Sequence, residues 1–289
     1  MLLIEDVDSL VDPAKLVEDI AVALKAERVV LPRRALQVSG LWFAPMAAYV
    51  RGMGLGAKLV GIFPRGSPPV RALSVLFDAE TGEILAAADG TKLTGWRTAA
   101  ASALAARLLG VTEGAIVGII GAGVQAEYHA RVFRALFKPS KIFIYSRRRA
   151  AELAGRLGLV QAPLEAVMTA EVIIAATNSQ EPVIKGALLR RDAVVISVGA
   201  PRPVRELDED TKRRASCALI DSPEAAEETD DVAGLKTTTL ESALSGAEIC
   251  RGEIKLYKSV GYAPFDVAAI YHVYRRALEL GRGRSAHLG

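Results

Sequence analysis

The sequence predicts an α/β protein, a doubly wound parallel sheet joined to a mixed α+β unit, and three observations carry that prediction. Short apolar runs at 115–120, 141–145, 171–176, 193–198 and 217–220 do not alternate with polar residues, and helical or loop stretches separate them. Strands buried on both faces read this way, and they belong to parallel sheets covered by helices. The first of these runs passes directly into Gly121-Ala-Gly-Val-Gln-Ala126 and a helix. The preceding 110 residues have another texture, mixing one helical period with strand and hairpin patterns. At 289 residues the chain has room for one large or two ordinary domains.

Taken in order, Pro13 to Glu27 places Leu16, Ile20, Ala23 and Leu24 on one helical face. Leu41 to Val50 and Ala57 to Phe63 are apolar runs bounded by glycines and prolines, which predicts strands. Ala72 to Phe77 and Ile84 to Ala88 flank the polar, Gly-containing stretch Asp78-Ala-Glu-Thr-Gly-Glu83, as in a β-hairpin. Gly95 to Leu109 is Ala-rich and helical and stops at Gly110. The helix after the glycine motif runs to about Phe137, and another follows from Arg149 to Leu157. A last helix, Pro264 to Leu280, is predicted to pack on the first unit. The expected domains are 1–110 with 265–289, and 111–264.

Composition removes several function classes. A balance of 36 basic against 33 acidic residues, without long like-charge runs, gives no support for a nucleic-acid partner. No stretch reaches the roughly 18–20 apolar residues of a membrane helix. The chain opens on Met1-Leu-Leu-Ile-Glu-Asp, with acids where a signal peptide would carry lysines. Cys217 and Cys250 are too few for a disulfide framework and predict a reducing, cytoplasmic setting. The three histidines and two cysteines show no metal-site spacing. Asn178 is the single asparagine, and Gln37, Gln125, Gln161 and Gln180 are the only glutamines. Scarcity of heat-labile amides predicts a heat-adapted source, with genomic base composition as the alternative reason.

The strongest chemical signal is Gly121-Ala122-Gly123-Val124-Gln125-Ala126 at a strand-to-helix junction. Gly121 permits the tight turn, Gly123 lets backbone approach a pyrophosphate, and Ala126 takes the third small position. The helix N-terminus behind them offers unpaired N–H groups to phosphate. NAD enzymes place an acid at the end of the next strand, against the ribose 2′-hydroxyl. Here the chain reads Tyr145-Ser146-Arg147-Arg148-Arg149. Ser146 and the arginines Arg147 and Arg148 suit a 2′-phosphate, which favours NADP(H) and leaves NAD(H) possible. The competing reading is a solvated basic helix start.

Around this Rossmann fingerprint other residues form a pattern. Asp89-Gly90, Gly95, Arg97-Thr98-Ala99-Ala100, Ser102-Ala103, Gln125 and His129 stand together with Pro32-Arg-Arg34, Gly56-Ala-Lys58-Leu-Val60, Gly199 to Asp208, Ser245-Gly-Ala-Glu248 and Lys258-Ser-Val-Gly261. In this order they resemble the ornithine cyclodeaminase/mu-crystallin family, which also includes an archaeal alanine dehydrogenase and ketimine reductases. The resemblance implies a homodimer whose N-terminal part and last helix bind substrate, with the Rossmann domain inserted. It also implies that Arg34, Arg97 and Lys58 hold a substrate carboxylate beside the nicotinamide. Thr98 and Gln125 would lie near the phosphates, and Ser259 and Val260 would position the nicotinamide. Thr177 and Val198 are assigned to the same cofactor site.

Two departures narrow the chemistry. Ornithine cyclodeaminases carry an Asp where this chain has Ala200, and a Glu where it has Trp42. Without those carboxylates a second ammonium group has no evident partner, so cyclodeamination is disfavoured. What remains is NAD(P)-dependent hydride transfer at the C–N carbon of an amino or imino acid, by an imine or ketimine reductase or an alanine-type dehydrogenase. Lys58, or a water it holds, is the expected proton donor. A cyclodeaminase using another acid, and a non-catalytic NADPH-binding protein like mu-crystallin, are the alternatives. His129 is expected to be structural or close to the dinucleotide, and Glu224 to Asp231 to be a solvated acidic face.

Overall fold

The computed structural model describes residues 1–66 and 69–287. Two compact units result, Met1–Arg97 with Tyr262–Gly289, and Thr98–Gly261. The first begins with β1 (Leu2–Ile4), α1 (Pro13–Lys25), β2 (Arg28–Val30), β3 (Leu36–Val38), β4 (Leu41–Val50), β5 (Gly54–Ile62), β6 (Val70–Phe77) and β7 (Ile84–Asp89). The division falls within α2 (Gly90–Leu108). The second unit holds β8 (Val117–Ile120), α3 (Val124–Phe137), β9 (Ile142–Tyr145), α4 (Ala150–Leu157), β10 (Val160–Gln161), α5 (Leu164–Met168), β11 (Val172–Ala175), β12 (Val194–Ser197), α6 (Glu209–Ala215), β13 (Cys217–Ile220), α7 (Ala225–Glu228), β14 (Lys236–Thr239), α8 (Leu240–Leu244) and β15 (Lys255–Lys258). Then α9 (Ala263–Leu280) and β16 (Arg284–Ser285) return to the first unit.

In the first unit β4 to β7 form an antiparallel meander, and β1 joins β7 in parallel. Residues alternate between faces along each strand. Gly56, Lys58 and Val60 of β5 point to the covered side. There α9 crosses closely, since a Cβ on Gly56 would lie 2.8 Å from Val267 Cγ2. Asp12 caps α1 by accepting from the Ala14 and Lys15 amides. His272 of α9 then ties the helices together, accepting from the Asp12 amide and donating to Asp19 at 2.7 Å. On the opposite side Leu55, Leu59 and Leu73 remain 40–47% exposed, and Leu36 and Val38 of β3 are more open still. This is a broad apolar surface.

The second unit is a parallel sheet of order β10-β9-β8-β11-β12-β15-β13-β14. All eight strands run the same way, so their carboxyl ends share one edge. Ile173, Val195, Ile220 and Leu256 belong to the core on this sheet. The fold class read from the sequence is the one observed.

Two readings need correction, and two strands were not foreseen. Cys217 and Cys250 are disulfide-bonded across a sequence separation of 33. Two cysteines are too few for a framework, but one bridge needs only that the start of β13 meet the segment leading into its neighbour β15. The acidic run is not wholly solvated either. Asp231, at its end, is fully buried and pairs with Lys258 Nζ at 2.9 Å. Finally, β14 and β15 carry no apolar-run signal, because Lys-Thr-Thr-Thr and Lys-Leu-Tyr-Lys, respectively, look polar in isolation.

Candidate active site

Lys58 sits in the middle of β5, opposite Met46 on β4 and Ser74 on β6, and is 1% exposed. A lysine this deep requires a counter-ion. Asp266 of α9 provides it, its Oδ1 accepting from Lys58 Nζ at 3.0 Å and from Arg97 Nε at 3.0 Å. Burial pushes the Lys58 ammonium down to about 8, Asp266 opposes that shift, and the charges of Arg97 and Arg33 add to it. An ammonium tuned near neutrality is suited to giving up a proton.

Arg97 is held by one edge only. Its Nε is committed to Asp266, and among the described residues neither terminal nitrogen has a hydrogen-bond partner. That leaves two parallel N–H donors, the geometry a carboxylate binds. Arg34 is exposed, whereas its neighbour Arg33 is half-buried and is the arginine whose charge acts on Lys58. Asp266 escaped the sequence reading. Its signal was an acid within the apolar stretch Ala263-Pro-Phe-Asp-Val-Ala-Ala-Ile, where a helix of this kind buries its face.

In the second unit the glycine motif forms an open cradle at the carboxyl end of β8. Gly121 has φ +119°, and a Cβ there would lie 2.3 Å from the Ala176 carbonyl oxygen. Gly123 is the N-cap of α3, makes no side-chain cap, and has nothing within 4 Å of its Cβ position. Gly123 and Val124 are exposed and Ala122 is half-buried beside them, so the start of α3 is open on this side. A dinucleotide pyrophosphate fits such a cradle. Thr98 is buried, and its hydroxyl has no partner among the described residues.

At the end of β9, Ser146 is half-buried and Arg147 and Arg148 are exposed. Arg149 is engaged by Glu152, whereas Arg147 and Arg148 have no partner among the described residues. His129 is fully buried, with Nδ1 against the Gln125 carbonyl at 2.7 Å and Nε2 against Ser102 Oγ at 2.9 Å. Since the carbonyl only accepts, Nδ1 carries the proton and Ser102 donates to Nε2. Burial lowers this imidazole to about 4, so it is neutral and fastens Gln125 in place.

The remaining carboxyl ends carry a buried polar network. Glu206 accepts from the Thr177 amide and hydroxyl, the Ser197 hydroxyl and the Gly199 amide. Lys258 Nζ reaches Asp231, Ser197 and the Gly199 carbonyl. Val198 lies half-buried between these groups in sequence. Ser259 is buried and Val260 partly so, and both donate to Asp221.

A profile of the ornithine cyclodeaminase/mu-crystallin family matches residues 1–281. The chain is 36% identical over 236 residues to the ketimine reductase mu-crystallin of Mus musculus, covering 76% of this chain and 75% of the other. Among solved structures, Δ1-pyrroline-2-carboxylate reductase of Thermococcus litoralis in complex with NADH and L-proline superposes with a TM-score of 0.89 at 28% identity, over 99% of this chain and 100% of that one. An archaeal alanine dehydrogenase dimer with bound NAD gives 0.89 at 25% identity, over 100% and 99%.

Proposed function

The chain belongs to the ornithine cyclodeaminase/mu-crystallin family, and we propose that it is an NAD(P)-dependent imino-acid reductase or amino-acid dehydrogenase. The observation that carries this reading is the buried cluster of Lys58, Asp266 and Arg97. A bound nicotinamide supplies or accepts the hydride. Arg97 receives the substrate carboxylate on its terminal nitrogens, held in orientation by Asp266 at Nε. Lys58, directly or through a water, gives its proton to the substrate nitrogen during reduction and takes one back in the reverse direction. Asp266 keeps Lys58 charged until that transfer. Fixing the carboxylate makes attack at the adjacent carbon effectively intramolecular. Arg34 joins the clamp by the family resemblance, and Arg33 acts on Lys58 through its charge. Comparing R33A with R34A separates them, since only the carboxylate-binding arginine raises the KM for the imino acid.

Gly121, Gly123 and the α3 N-terminus hold the dinucleotide, with Thr98 and Gln125 toward the phosphates. Ser146, Arg147 and Arg148 favour NADP(H), because two unpaired guanidinium groups stand where an acid would read a 2′-hydroxyl. The Arg147→Ala variant should raise the KM for NADPH about tenfold and leave NADH unchanged, a loss typical of one charge-assisted contact. The apolar sheet face bearing Leu55, Leu59 and Leu73 supports a homodimer. A cytoplasmic, heat-adapted source agrees with the scarcity of amides and with the disulfide, since hyperthermophiles keep such bonds inside the cell.

The test is NAD(P)H oxidation with pyruvate plus amines, cyclic imino acids and ketimines at elevated temperature. Turnover is expected with at least one α-imino acid and is expected to vanish in R97A while the fold is retained. Conversion of ornithine to proline and ammonia without net reduction would favour the cyclodeaminase reading instead.

A further inference from the structure

Asp221 stands immediately after β13 at the carboxyl edge of the second unit's sheet and is 1% exposed. One of its oxygens, Oδ2, accepts three hydrogen bonds: from Ser259 Oγ at 2.7 Å, the Val260 amide at 2.9 Å and the Gly261 amide at 2.7 Å. Its own amide donates to the Lys258 carbonyl. The three residues it gathers are the first to leave β15, and Gly261 has φ +94°. From the other side Lys258 is pinned through Nζ to Asp231, Ser197 and the Gly199 carbonyl. A short turn is thus fastened from both sides by buried ionisable side chains, Asp221 and Lys258.

The location gives the reason. In an open parallel sheet a dinucleotide lies along the carboxyl edge, crossing at the switch point beside the fingerprint strand. Here that point is between β8 and β11, the adenosine half lies toward β9, and the other half extends over β11, β12 and β15. With neighbouring strands about 4.8 Å apart, the end of β15 is about 14 Å from the glycine cradle, on the nicotinamide side. We propose that Asp221 is a positioning residue for the nicotinamide half of the bound dinucleotide, acting by holding Ser259, Val260 and Gly261. This rests on the reading that the chain binds a nicotinamide dinucleotide.

The experiment titrates wild type, D221N and D221E with NADPH or NADH, whichever wild type binds more tightly, following dihydronicotinamide emission. A parallel titration uses the matching ADP-ribose fragment, with the 2′-phosphate where NADPH is the ligand. D221N is expected to weaken the reduced dinucleotide about tenfold and remove its emission enhancement, with fragment affinity unchanged within about twofold. With substrate, kcat should fall about a hundredfold while the KM for the imino acid is retained. D221E, which keeps the charge one methylene further out, should recover part of both, and it decides the matter if D221N does not fold. Unchanged emission and kcat in the variants would overturn the role of Asp221 and leave the reductase reading standing. Equal loss of fragment and dinucleotide would show a purely structural carboxylate and overturn it too. No binding of either by wild type would overturn the dinucleotide reading itself, and this role with it.

Discussion

Lys58 is placed to limit the pH range of the proposed reduction. Its ammonium, lowered to about 8 by burial, is charged at neutral pH and loses its proton as pH rises through that value. Acting as the acid in reduction, it predicts a kcat/KM that falls above about pH 8, where an ordinary lysine would hold to beyond pH 10. Asp266 raises this group and Arg97 lowers it. In D266N the falling limb should therefore move to lower pH, which a pH–rate profile reads directly. Arg97 and Lys58 became candidates through the family resemblance, since each alone would pass for an ordinary surface base. Asp266 was not legible, because it lies 169 residues beyond Arg97 and only folding brings the two together.

At the scale of elements, the close crossing of α9 over β5 depends on Gly56. A Gly56→Ala change places a methyl 2.8 Å from Val267 Cγ2 and should cost about 1–3 kcal/mol, measured by denaturant unfolding. Val267→Ala in the same chain should recover much of it. His129 couples α2 to α3 through Ser102 and Gln125. Its folded value of about 4 lies below the ordinary 6.5, so its contribution is complete above pH 6.5 and is lost as pH falls toward 4. About 3 kcal/mol should disappear over that window, and the loss should be absent in H129Q. Strands buried on both faces, the hairpin and the glycine turn were legible because their signals are contiguous. The strands β14 and β15 were hidden by lysines and threonines that are polar alone and satisfied only by partners such as Asp231.

For the whole molecule, the exposed apolar face of the first unit's sheet is the feature with the widest consequence. A charge placed on the face that carries Leu55, Leu59 and Leu73 should split the proposed dimer while each chain keeps its fold. Leu59→Glu, followed by light scattering and circular dichroism, checks this, and an unchanged mass would place the interface elsewhere. The parallel sheet of the second unit was legible from the change of texture near residue 115. The disulfide was not, since composition counts cysteines without saying which strands will be neighbours. The buried Lys58–Asp266–Arg97 cluster is proposed to recognise an imine through its adjacent carboxylate. The deciding measurement compares kcat/KM for Δ1-pyrroline-2-carboxylate with that for the same cyclic imine lacking the carboxylate. The predicted result is a preference of about a hundredfold or more for the carboxylate, a value in keeping with a charge-assisted bidentate contact, and its collapse in R97A. Equal reduction of both imines, or a preference that survives R97A, would contradict it.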